Sequence, residues 1–360
     1  MILTVIIAFV SLMALLIIHE FGHFLLAKKF GVRVEEFGVG YPPRILGKRV
    51  GETIYSINLL PFGAFVRLYG ESETIEDPRS FSSKPFWQKS LIILGGVISF
   101  WIVSIILLSI VMGTGVPTLV EDEEAGGLVN PKVQIVAVAP GSPAEKAGIR
   151  IGDVMESITV YGGLRLQTDK VKDFQNFITE NKGKEATINI QRGKDAFEVS
   201  AELRASPPED EGPLGVALVR TALKSYPWYQ APIEGVKATV NLTIGVVEGW
   251  GQALNKLFRR EPTGVQLVGP VGIFSLFTQV SQLGVNYFLQ FIAIISIFVA
   301  LFNILPIPVT DGGKMLFLII EKLRGKPLNQ KVSSSIEMAF FFLLIALMIW
   351  VTIKDIIRLF

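Results

Sequence analysis

Cysteine is absent from all 360 residues, and histidine occurs only twice. The first absence excludes disulfides, iron–sulfur clusters and thiolate metal ligands, so any zinc must be held by histidine and carboxylate, and the redox compartment stays open. Charge is scarce too: 18% of residues are Asp, Glu, Lys or Arg, against roughly a quarter in soluble domains. The 34 basic residues nearly balance the 32 acidic ones, which leaves no global attraction for nucleic acid or an acidic partner. Apolar side chains are plentiful instead. Half the chain is hydrophobic and the mean hydropathy is +0.49, the composition of an integral membrane protein.

Four apolar stretches approach the roughly 20 residues that a helix needs to cross a bilayer: the first 18 residues and 91–116, 284–309 and 337–353. The first lacks the basic n-region and small-residue cleavage site of a signal peptide, so it is expected to persist as a span. Lys28, Lys29 and Arg33 follow it and nothing basic precedes it. The positive-inside rule then puts the N-terminus outside and residue 28 onward in the cytoplasm. Alternation makes 117–283 external, brings the third span inward to Lys314, Lys322, Arg324 and Lys326, and leaves the C-terminus outside.

Both histidines lie in His19-Glu20-Phe21-Gly22-His23, at the end of the first apolar run. Residues four apart stack on one helix face, where two imidazoles can grip one zinc ion with the intervening glutamate beside the open coordination position. The alternation above sets this motif at the same depth as the cytoplasmic end of the third span, which carries Asp311, the only acidic residue between Glu261 and Glu321. An ionised group near membrane depth marks a partner or a function, so Asp311 is the expected third ligand. The segment Asn303-Ile304-Leu305-Pro306-Ile307-Pro308-Val309-Thr310-Asp311-Gly312-Gly313 has prolines that remove backbone donors and glycines that loosen the chain, a broken stretch tolerated at this depth only inside protein or beside a wet cavity. The competing reading is a solvated aspartate in a surface loop.

Together, the histidine motif and the Asn303 to Gly312 segment resemble the site-2 protease family of intramembrane zinc metalloproteases, in its bacterial RseP-like branch with one PDZ domain, and the resemblance covers nearly the whole chain. It implies a zinc-dependent metalloendopeptidase of the bacterial cytoplasmic (inner) membrane, with its active site near the cytoplasmic side. The substrates implied are single-span membrane proteins already cut in their ectodomain: an anti-sigma factor, a signal-peptide remnant or a cell-division protein. It also implies that Asn303 contacts substrate backbone or the developing oxyanion, the alternative being that it braces the broken helix. Residues 36–40, 53–59 and 64–69 alternate as β-hairpin material and resemble the family's membrane-dipping sheet, whose edge can hold a substrate drawn out as a strand. A supporting cytosolic meander is the other reading. Gly95-Gly96-Val97-Ile98-Ser99-Phe100 and Gly269-Pro270-Val271-Gly272-Ile273 also fit, although the family commonly has asparagine at the position of Ser99 and leucine at that of Thr310.

Residues 133–138, the run Pro140-Gly141-Ser142-Pro143-Ala144-Glu145, a helical pattern over 168–181 and paired strands over 186–192 and 197–203 resemble a circularly permuted PDZ domain. Gly212-Pro213-Leu214-Gly215-Val216 is its expected carboxylate-binding loop, for a peptide or C-terminus; a size filter that binds nothing is the competing view. Residues 204–213 read as an exposed linker. Between 235 and 258, Val236, Val240, Ile244, Val247 and Leu254 share one face of an interfacial amphipathic helix rather than a span. Were it a span, His23 and Asp311 would lie on opposite sides of the bilayer.

The expected architecture is therefore a multi-pass α-helical membrane protein with four transmembrane helices, a membrane-associated β-sheet and an extracytoplasmic PDZ-like α+β domain. Its parts are 1–116 (spans one and two, with the hairpins at about 34–70), 117–222 (the external domain), 223–283 (the interfacial segment) and 284–360 (spans three and four). His19, His23 and Asp311 hold Zn2+ and Glu20 is the general base. The rivals are a zinc transporter, which needs a succession of polar intramembrane sites, and a non-catalytic PDZ scaffold.

Overall fold

The computed structural model describes residues 2–71, 73, 75–124, 128–193, 195–208, 211–261, 268–326 and 328–359; positions 209 and 210 of the expected linker lie outside them. In chain order the elements are α1 (Ile2–Lys29), β1 (Val34–Val50), β2 (Thr53–Leu68), α2 (Phe86–Thr114), β3 (Val116–Leu119), β4 (Leu128–Val138), α3 (Pro143–Lys146), β5 (Val154–Val160), β6 (Leu164–Gln167), α4 (Val171–Glu180), β7 (Glu185–Arg192), β8 (Asp195–Glu202), β9 (Val216–Lys224), α5 (Ala231–Phe258), α6 (Pro270–Leu283), α7 (Val285–Ile304), α8 (Asp311–Arg324) and α9 (Gln330–Leu359). Among the described residues, four helices are long and apolar enough to cross a membrane: α1, α2, α7 and α9.

One compact unit comprises residues 1–109, 232–280 and 289–360. Its first helix ends where Lys28 and Lys29 complement the helix dipole and Gly31 turns left-handed at φ +69°. Helices α1 and α2 meet at glycines: a Cβ on Gly22 would lie 2.2 Å from Gly95 O, and one on Gly95 would lie 2.8 Å from Gly22 O. Small residues are what permit such close backbone approach. Helices α2 and α7 are joined by buried serines, Ser104 Oγ donating to Ala293 O at 2.6 Å and Ser296 Oγ to Phe100 O at 2.8 Å. Buried Asp355 of α9 accepts the amides of Gly269 and Gly272 (2.9 and 2.8 Å), capping the start of α6 and accounting for the glycines of that motif.

Strands β1 and β2 fold over one another, so that residues 36–39 lie between 64–67 and 54–57, while 44–50 pairs with 53–58. Residues 64–68 thus form an edge: their recorded partners lie within 34–39. Glu36 is buried among three segments, accepting hydrogen bonds from Arg44 and Ser56 at 2.7 Å each and facing Arg67 at 3.5 Å. A buried carboxylate is tolerable only with such partners. Ala27, Val32, Val34, Leu68 and Ile92 pack the base of the sheet against α1 and α2. Its far end exposes Ile45, Leu46, Ile57, Leu60 and Phe62. The Phe62 ring meets Phe9 of α1 edge-on at 5.9 Å, ten residues and so about 15 Å along the helix from His19. Val236, Val240, Ile244, Val247 and Leu254 of α5 are likewise exposed.

The second unit comprises 110–231 with 281–288. Its antiparallel sheet runs β3-β9-β4-β5-β7-β8, with β6 also on β5, over a core that includes Val133, Ile135, Ile158, Phe174, Ile188 and Ile190. Ser142 caps α3 through Glu145 N at 3.1 Å, and Glu145 returns a bond to Gly141 N, so the Pro-Gly-Ser-Pro-Ala-Glu run is a helix-start signal. Helix α4 takes its cap from far away in sequence: Asp122 accepts the amides of Val171 and Lys172 at 3.0 and 2.8 Å. Buried Arg220 donates to the carbonyls of Glu121, Glu124 and Asp169 and to the Asp169 carboxylate, fixing that capping segment.

Candidate active site

Helix α1 presents His19 and His23 one turn apart, and α8 begins at Asp311. The structure brings all three together. Asp311 Oδ2 lies 3.5 Å from His19 Nε2 and 3.3 Å from His23 Nε2, and the two Nε2 atoms are 3.3 Å apart. Four-coordinate tetrahedral zinc with bonds of about 2.0–2.1 Å places its ligand atoms about 3.3–3.4 Å from one another. The triangle fits that ion closely.

Hydrogen bonding orients the ligands in the same way. His23 Nδ1 donates to Ile92 O at 2.8 Å, which holds the ring with Nε2 turned toward His19 and Asp311. Asp311 Oδ2 is buried without a hydrogen-bond partner. Buried polar atoms that converge in this way are costly unless a proton or a cation joins them, and the donor set suits a metal. Glu20 Oε1 lies 4.0 Å from His19 Nε2, within the group of His19, Glu20 and His23 whose ligand-type atoms cluster within 4.8 Å. The carboxylate thus stands beside the triangle.

Several residues unrelated to zinc ligation in the sequence reading shape this pocket. Gly96 has no side chain because there is no room for one: a Cβ there would lie 2.4 Å from His19 Cε1 and from His23 Nε2. His19 stacks on Phe100, with ring centroids 4.8 Å apart. Ser99 Oγ donates to Gly96 O at 2.6 Å, so the residue that departs from the family pattern stays within its own helix. Thr310, the other departure, turns its hydroxyl to Leu305 O and Ile307 O at 2.7 and 2.9 Å, tying the start of α8 to the irregular stretch around Pro306 and Pro308. Gly312 and Gly313 let α8 start against that broken end, since a Cβ on either would lie 2.1–2.2 Å from a carbonyl of Ile304 or Ile307.

A cavity of about 60 Å³ lies at the site, bordered by Glu20, His23, Val66, Leu68, Asp311 and Lys314. Lys314 Nζ is 2.7 Å from Glu71 Oε1, and this neighbouring carboxylate raises the lysine pKa. Asn303 is placed differently: its amide donates to Val299 O at 2.9 Å, one turn back along α7, and the structure does not bring it into the triangle.

A metallopeptidase helix motif completed by an aspartate from a second segment, in a frame of four apolar helices, defines a membrane-embedded metallopeptidase. Comparison with known proteins agrees. Residues 7–347 match the family described as peptidase family M50, the site-2 proteases, and the chain belongs to it. Over 355 residues it is 32% identical to a Clostridium perfringens protein provisionally named a zinc metalloprotease, covering 98% of each chain. A Synechocystis protein with a similar name is 30% identical over 367 residues, with 98% of this chain and 94% of that one covered. The Bacillus subtilis protein named regulator of sigma-W protease RasP is 26% identical over 452 residues, covering 100% of each. The protein is a multi-pass membrane zinc metalloendopeptidase with Zn2+ as its metal.

Proposed function

We propose that this enzyme makes the second cut in regulated intramembrane proteolysis, hydrolysing a peptide bond in or near the span of a single-span membrane protein whose ectodomain has already been removed. An anti-sigma factor or a signal-peptide remnant has the required form. The observation that carries the reading is the ligand triangle of 3.3, 3.3 and 3.5 Å made by two distant segments. His19, His23 and Asp311 hold the zinc. When bound, the metal supplies a Lewis acid that acidifies water and polarises the scissile carbonyl. Glu20 takes the proton from the attacking water and passes it to the leaving amine. Asn303, on the last turn of α7, braces the broken helix through Val299 O and lies near enough in sequence to Asp311 to meet the substrate backbone.

A helical substrate hides its carbonyls in hydrogen bonds, so the chain must be drawn out before attack. The edge at 64–68 offers strand pairing for this, and the contact of Phe62 with Phe9, with the exposed apolar side chains around it, supports a sheet that dips into the bilayer from the cytoplasmic face. Both termini are extracytoplasmic, residues 117–222 form an external PDZ-like domain that admits trimmed substrates or captures their new C-termini, and α5 lies at the membrane interface.

The test uses a single-span reporter in bacterial membranes. Glu20→Gln should abolish cleavage and keep zinc, whereas His23→Phe and Asp311→Asn should lose both. Cleavage by Glu20→Gln at the parental rate would refute the assignment, and zinc transport surviving that change would favour a transporter instead.

A further inference from the structure

The Glu71–Lys314 ion pair has no part in the roles above, yet it spans the site. Lys314 follows Asp311 by three residues on α8, so the two side chains project from one helix face. Glu71 lies three residues beyond the end of β2, where its amide bonds to Leu68 O at 3.3 Å and the preceding Tyr69 amide bonds to Arg33 O at 3.0 Å. Among the described residues this is the ion pair that joins α8 to the sheet. Both partners border the zinc cavity and also a larger groove of about 840 Å³, whose walls include Phe65, Arg67, Phe317 and Glu337. The Lys314 and Glu71 side chains are 50% and 27% exposed, and a pair so accessible adds little to stability. Its consequence is geometric.

We propose that Glu71 and Lys314 are positioning residues: their contact fixes strand edge 64–68 against the helix that carries Asp311, and so selects which peptide bond of a strand-bound substrate meets the zinc. The proposal rests on the function argued above. Successive residues of a strand are about 3.3 Å apart, so a slip of α8 along the edge by a fraction of that distance brings a neighbouring carbonyl within reach.

The experiment maps cleavage of the single-span reporter by mass spectrometry, using the full chain in lipid vesicles, with zinc content measured on the same samples. The parent should cut at one bond. Glu71→Gln and Lys314→Met should keep zinc and spread cleavage over adjacent bonds, while Lys314→Arg should restore the single position. Because the chain has no cysteine, Glu71→Cys with Lys314→Cys can be joined by a short bis-maleimide, and that uncharged tether should also restore the single position. Unchanged cleavage positions in both charge-removing variants would overturn the proposal. So would a tether that fails where Lys314→Arg succeeds, since charge rather than placement would then be at work. Loss of zinc from His23→Phe together with an unshifted pattern in both Glu71→Gln and Lys314→Met would leave the site assignment standing and remove only this inference.

Discussion

Replacing Gly96 by alanine should strip the enzyme of zinc while sparing its fold. The added Cβ would stand 2.4 Å from His19 Cε1 and His23 Nε2 and 2.6 Å from His19 Nδ1. Ordinary carbon contacts begin near 3.5 Å, so the imidazoles or the α1–α2 crossing must yield by about 1 Å. Neither can do so cheaply: Gly22 and Gly95 already hold the backbones in contact, Phe100 stacks on His19 and the Ile92 carbonyl pins His23. Zinc sites tolerate about 0.2 Å of error in a ligand distance. Loss of supporting shell geometry typically costs 10–100-fold in metal affinity, or about 1.4–2.7 kcal/mol, and a clash with both histidines belongs at or beyond the upper end. The assay is zinc retention against a graded chelator in detergent-solubilised protein, beside reporter cleavage and thermal unfolding. Gly245→Ala is the control, because nothing lies within 4 Å of a Cβ there and the position is helical. Parental zinc affinity and turnover in Gly96→Ala would refute the claim that this glycine makes room for the ligands.

The buried serines that join α2 to α7 should matter less than their burial implies. Their acceptors, Ala293 O and Phe100 O, lie within helices and keep a backbone partner. Ser104→Ala and Ser296→Ala should therefore each cost about 0.6 kcal/mol, a typical value for such bonds in membranes, read as a small fall in Tm; a loss of several kcal/mol would contradict this. In the second unit, Asp122→Ala should cost about 1 kcal/mol, the usual effect of losing a helix cap, and should speed hydrogen exchange at Val171 and Lys172 in the full chain. The Asp122 carboxyl sits below its ordinary range: burial pushes it up, but the amides of Lys172 and Val171 prevail. Its contribution is thus fully present above the unfolded pKa of about 3.9 and fades as pH falls below that value through the folded one, and protection of α4 that is independent of acid would refute the cap.

Much of the candidate site was legible because zinc chemistry favours few residue types. With no cysteine and two histidines, the sequence points any zinc to His19 and His23, and the isolated acid of the broken segment, Asp311, is the residue that the structure brings beside them. The short helix α3 was legible for a different reason, since Ser142, Pro143 and Glu145 carry a local start signal. Apart from the convergence of Asp311 on the histidines, contacts made across long separations were not. Nothing in the sequence around residue 122 announces a cap for a helix that starts at Val171, nor does Glu71 announce a partner 243 residues away. Asp355 fell just past the fourth apolar stretch as read from hydropathy, and only the three-dimensional arrangement links it to Gly269 and Gly272.

Glycine shows why these two kinds of information differ. The Gly95-Gly96 pair is visible as a pattern, but its two members do different work: Gly95 allows one backbone to touch another, and Gly96 leaves room for two imidazoles. Gly312 and Gly313 serve a third end, seating the start of α8 against the carbonyls of Ile304, Leu305 and Ile307. All four act on the same small volume. A zinc site assembled from separate helices needs its ligands placed to within a few tenths of an ångström, and in this candidate site omitted side chains make the close approach of His19, His23 and Asp311 possible. Enlarging any one of these glycines should therefore weaken the metal more than it weakens the fold.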